Sequence, residues 1–152
     1  MSPTEQVSPT GRQRRPRRTK PMTPERLERI ALHYLERYAT SSGHLRRVLD
    51  RRIRRAAREH EIDEQEAARW VAALIARLER VGFLDDRAYA CARAAGLSAR
   101  GYSGRYIRRA LQARDVASED VEAALREIAT LDEDPELCAA TRYARRLSLI
   151  HI

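Results

Sequence analysis

Apolar residues recur at three- and four-residue spacing along most of this chain and almost never alternate with polar ones, a pattern that predicts helices and no strands. Thr23-Pro24-Glu25 is a cap followed by proline at the first helical position. Leu27, Ile30, Ala31, Tyr34 and Leu35 then mark one face through Tyr38. Thr40-Ser41-Ser42-Gly43 breaks that helix and caps a second, from about 44 to 60, with Leu45, Val48, Leu49, Ile53, Ala56 and Ala57 on its inner side. Asp63 caps a third, whose inner face is predicted to hold Ala67, Trp70, Val71, Leu74, Leu78 and Val81. Gly82 stands where a left-handed terminating residue belongs.

The pattern then recurs. Asp85 caps a helix to about Ala99, Ser103 one to about Arg114, and a third, capped near Ser118, carries Val121, Ala124, Leu125 and Ile128. His44-Leu45-Arg46-Arg47-Val48-Leu49 aligns without a gap on Tyr106-Ile107-Arg108-Arg109-Ala110-Leu111, apolar on apolar and Arg-Arg on Arg-Arg. The predicted architecture is all-α: tandem three-helix repeats in a right-handed array, over 24–82 and 83–131. A third repeat over 132–152 begins at Asp134-Pro135-Glu136, with Leu137, Ala140, Tyr143 and Ala144 as its stripe. It is expected to stop after one helix, as if truncated, because Leu147 to Ile152 lose the basic amphipathic pattern.

Composition sharpens this picture. Hydrophobic residues make up 43% of the chain but aromatics only 5%, so alanine and leucine must do most of the packing, which suits close-packed helices. Six of the 30 basic residues fall within residues 1–24, against one of the 22 acids. Residues 1–23, rich in Pro, Ser, Thr and Arg, hold too little apolar surface to fold and are expected to form a disordered basic arm. That arm either attracts DNA or an acidic protein, or simply solubilises the chain. No membrane span or apolar signal core is visible, and a cytoplasmic monomer is expected.

The chemistry on offer is that of binding. The second helix of each repeat is a basic stripe: Arg46, Arg47, Arg51 and Arg54 in the first, Arg105, Arg108 and Arg109 in the second, with Arg100 just upstream. Most of these point away from the apolar stripe, so the repeats predict two basic ridges on one side of the array. The competing reading is a solvated face whose arginines pair with acids on neighbouring third helices. Tyr102 sits at a corner between Gly101 and Ser103, either packed inward or free to stack on a base or anchor a protein contact. Asp85-Asp86 reads as helix capping rather than a metal site. Cys91 and Cys138 read as small buried residues. No phosphate loop, zinc motif, nucleophile elbow or Cys-x-x-Cys occurs, so no enzyme and no cofactor is expected.

Two segments carry a resemblance. Gly82-Phe83-Leu84-Asp85-Asp86-Arg87-Ala88-Tyr89-Ala90 resembles the junction between the first and second units of the RecX family, and Arg100-Gly101-Tyr102-Ser103 leading to Ile107-Arg108-Arg109 and Leu111 is similar to its Arg-Gly corner. With Leu45-Arg46-Arg47 the resemblance spans roughly residues 25–146. It implies tandem repeats that bind the RecA recombinase, lodge in the groove of its filament on single-stranded DNA and restrain it. The basic second helices would then face acidic RecA surface or DNA phosphate. Direct, sequence-independent binding to single- or double-stranded DNA by those helices and the arm is the alternative, since they offer arginines and few side chains suited to base edges. Family members usually complete a third repeat, and here only its first helix is expected.

Overall fold

The computed structural model describes residues 20–131, together with Ala140 and Ala144. Six helices follow one another: α1 (Pro24–Arg37), α2 (Ser42–Ala57), α3 (Glu64–Arg80), α4 (Asp86–Ala99), α5 (Gly104–Gln112) and α6 (Ser118–Leu131). No strand occurs among the described residues. The expected arm, apart from residues 20–23, and the expected third repeat, apart from those two alanines, lie outside them.

Local chemistry starts each helix. Thr23 Oγ1 accepts the Arg26 amide, Ser41 Oγ that of His44, Asp63 Oδ1 those of Gln65 and Glu66, Asp85 Oδ1 that of Ala88, and Ser103 Oγ that of Tyr106. Each satisfies donors that a helix leaves unpaired at its first turn. At α6, by contrast, Ser118 is the first helical residue rather than the cap, and the first-turn acids Glu119 and Asp120 face the positive end of the dipole.

Three left-handed residues end helices. Gly82 (φ 84°) lets the Phe83 and Leu84 amides reach back to the Leu78 carbonyl, and Gly101 (φ 87°) lets the Tyr102 amide reach Leu97. Asp115 (φ 57°) does the same for α5, whose Leu111 carbonyl accepts from Val116. This closes α5 at Gln112, two residues short of the predicted end. Aspartate tolerates this conformation better than most residues, which is how a non-glycine terminator escapes a search for glycines.

The helices pack in two groups of three. Leu27 and Ala31 of α1, Leu45, Leu49 and Ile53 of α2, and Val71, Leu74 and Leu78 of α3 share one core. Ala90, Ala94 and Leu97 of α4, Ile107 and Leu111 of α5, and Val121, Ala124 and Ile128 of α6 share the other. Alanine dominates α4, so α4 and α6 approach closely and form the most extensive helix pair. Two positions depart from the expected pattern. Val81, predicted inward, is 61% exposed because it follows the last turn of α3. Met22, grouped with the arm by composition, is 8% exposed and closes the first core, where a flexible thioether fills an irregular gap.

Candidate partner-binding surface

A compact polar joint connects the two groups at the N-terminus of α2. The Ser42 amide donates to Asp86 Oδ1 at 2.7 Å, and its hydroxyl donates to Asp86 Oδ2 at 2.6 Å. The neighbouring carboxylates of the Asp85-Asp86 pair thus divide their work. Asp85 caps its own helix, while Asp86 reaches the start of a helix 44 residues upstream. A negative charge there also meets the positive end of the α2 dipole. On the other side, Ser41 Oγ donates to the Arg114 carbonyl and Arg47 pairs with Asp115.

His44 completes the joint. Its Nε2 lies 3.3 Å from Arg114 Nη1. Guanidinium can only donate, so Nε2 accepts and the ring is neutral there. Desolvation by burial holds the His44 pKa below the ordinary 6.5, and the nearby charges of Arg114 and Arg47 push it the same way, with Asp115 opposing.

Two of the predicted binding arginines are ion-paired in the structure, Arg47 at this joint and Arg108 inside the second group. Arg47 is a structural cation between the units, and Arg108 is held in a fork by Glu122 of α6, with Nε at 2.9 Å and Nη2 at 3.0 Å from its oxygens. The reason is the acidic loading of α6: Glu122 lies one helix away from Arg108, so part of the basic ridge is neutralised within its own unit. Both pairs are substantially exposed and contribute little stability, on the order of 0.2–1 kcal/mol each.

The remaining predicted residues separate into two places. Arg105 and Arg109, one turn apart on α5, are exposed, with the 47% exposed Tyr106 between them. Arg100 is exposed at the end of α4. Tyr102 resolves its two readings in a mixed way: it packs against the second core, and its ring also stacks on Tyr106 with centroids 4.3 Å apart and planes 16° apart. On α2, Arg46 and Arg54 are exposed, whereas Arg51 lines a groove shared with α1. Among the described residues Arg46, Arg51, Arg54, Arg105 and Arg109 form no ion pair.

Neither Tyr106 nor the α1 arginines stand out as binding residues from the repeat pattern alone. Arg26, Arg29 and Arg37, with His33, follow helical spacing and could have been read as a second basic stripe. Cys91 is free and half-buried, and its thiol is pushed upward first by a hydrogen bond to Glu127 and then by burial, so it is not a reactive thiolate. Cys138 lies outside the described residues. No group of three potential metal ligands and no helix long and apolar enough to cross a membrane occurs among the described residues.

The family domain described as "RecX, second three-helix domain" matches residues 85–125, which begin at the Asp85-Asp86 joint and run through α4, α5 and half of α6. The protein named "Regulatory protein RecX" of Thermus thermophilus is 42% identical over 116 residues, covering 76% of this chain and 72% of the relative. The chain belongs to the RecX family. A second relative of the same name, from Myxococcus xanthus, is 44% identical over 110 residues, covering 72% of this chain. The matched region spans 59% of that relative's length. No solved structure matches the chain significantly. Both relatives are named as regulatory proteins, and the Asp85-Asp86 junction has a physical role here as the hydrogen-bonded joint between two helical units.

Proposed function

We propose that this chain regulates a RecA-type recombinase by occupying its filament on single-stranded DNA, acting through contact rather than chemistry. Membership in the RecX family is the observation that carries this reading. The geometry supports it by presenting an exposed Arg105–Tyr106–Arg109 face on α5, suited to an acidic protein surface, with Arg100 at the neighbouring helix end. In this reading the chain is two repeats, over 24–82 and 83–131; the second helix of each packs in a different core, and the Ser42–Asp86 and Arg47–Asp115 contacts link the two groups.

The test is co-sedimentation with preassembled RecA filaments on single-stranded DNA. The chain is expected to pellet with filament. Arg105→Glu/Arg109→Glu is expected to weaken the association by about 10-fold or more, the scale of interface arginines. Equal recovery of wild type and double variant would remove α5 from the interface, and no recovery of the wild type would remove the partner.

A further inference from the structure

The groove between α1 and α2 has positive charge on both walls. Arg26, Arg29 and Arg37 come from α1, and Arg51, Arg52 and Arg55 from α2. Its volume is about 850 Å³, and neither aspartate nor glutamate lines it. Arg26 is hydrogen-bonded to the Lys20 and Pro21 carbonyls, which are neutral, so its charge stays uncompensated. Like charges gathered in a concave site focus positive potential and call for an anion.

Aromatic rings accompany the charge. Tyr34 and Tyr38 line the same groove with ring centroids 4.9 Å apart and planes tilted by 42°, and Tyr38 is 55% exposed. Tyr34, Arg37 and Tyr38 also wall an adjoining cleft, where Phe83 is 63% exposed. The acid of that cleft, Asp85, is engaged in capping α4.

We propose that this groove binds single-stranded nucleic acid, with phosphates along the arginine walls and bases stacked on Tyr38 and Phe83. A basic channel bearing exposed rings is the arrangement that holds unpaired strands without regard to sequence, because every base offers a π-face. An acidic peptide would use the arginines but has no need of the rings. The site is separate from the α5 face and does not require the recombinase.

The experiment measures fluorescence anisotropy of a labelled oligothymidylate with the full chain across salt, beside a hairpin duplex and with polyglutamate as competitor. The single strand is expected to bind at least about 10-fold more tightly than the duplex, with a log–log salt slope of about −0.7 per phosphate contacted. Arg29→Glu/Arg55→Glu should weaken binding at least about 10-fold and flatten the slope. Tyr38→Ala should weaken it about 5-fold or more and leave the slope unchanged, because stacking releases no counterions. Arg105→Glu/Arg109→Glu should bind like wild type, which separates this site from the filament contact. Far-UV dichroism checks folding, and Arg29→Gln/Arg55→Gln reads the same effect more gently. Equal affinity for duplex, undiminished affinity in the arginine variants, or displacement by polyglutamate as effective as by unlabelled DNA would each overturn the proposal.

Discussion

Two glycines in helical backbone predict opposite outcomes for the same substitution. Gly43 is the second residue of α2, inside the joint; Gly96 lies in the last turn of α4. A Cβ at Gly43 would lie 2.7 Å from both the Cβ and the carbonyl oxygen of Asp115, while one at Gly96 meets nothing within 4 Å. The Asp115 carbonyl cannot swing aside, because it belongs to a left-handed corner that closes α5. Gly43→Ala must therefore push the units apart. Overpacking of this kind costs about 1–3 kcal/mol, against a helix-propensity gain of at most about 1 kcal/mol. The net expectation is a loss of about 1–2 kcal/mol. Gly96→Ala should instead gain about 0.5–1 kcal/mol. Urea unfolding followed by far-UV dichroism reads both. In an Asp86→Ala background, where the joint is already loosened, Gly43→Ala should cost less, since neighbouring perturbations are not additive. The same sign for both glycines, or an undiminished cost in that background, would refute the joint as drawn.

Two further outcomes follow from the same contacts. Asp86→Ala removes a carboxylate that accepts from both the amide and hydroxyl of Ser42 and should cost about 1.5–3 kcal/mol, more than the cost of about 1 kcal/mol expected for the cap variant Asp85→Ala; equal costs in urea unfolding would reduce Asp86 to ordinary helix-terminal charge. His44 has a folded pKa below 6.5, so as pH falls past that value the unfolded chain takes up the proton first, and the stability present above it is lost toward the folded pKa. His44→Gln keeps an acceptor for Arg114 and should flatten this loss in unfolding measured between pH 7.5 and 5.5, whereas an identical pH dependence in both proteins would show that His44 does not titrate the joint.

Most of the fold was legible because its signals are local. Thr23, Ser41, Asp63, Asp85 and Ser103 cap helices through bonds spanning two or three residues, and the Leu/Ile/Val periodicity points to each core face. What escaped lies in contacts of long sequence separation. Nothing local says that Asp86 will reach Ser42, that Arg47 will meet Asp115 across 68 residues, or that Glu122 will claim Arg108. Helical periodicity also shows which α2 arginines leave the core but not which helix lies beside them. Arg46 and Arg55, nine residues apart, fall about 180° apart around the helix. Only Arg55 of the two faces the groove with α1. A single basic ridge on α2 thus resolves into a groove wall, a joint cation and an outer face, while the α5 ridge keeps Arg105 and Arg109 open and gives up Arg108 to its own unit.

The repeated architecture gives these details a common logic. A small polar joint, rather than a shared apolar core, relates the two units, so their arginines can be positioned without fusing the hydrophobic clusters. Such a joint is sensitive to single side chains, which makes the relation between α2 and α5 open to experiment.

The measurement that bears most directly on regulation by occupancy is the ATP hydrolysis of RecA on single-stranded DNA, titrated with this chain. The expected result is a saturable fall in the steady-state rate that Arg105→Glu/Arg109→Glu shifts to about 10-fold higher concentration. A rate unchanged at concentrations that coat the filament, or a fall that the double variant reproduces at the same concentration, would contradict it.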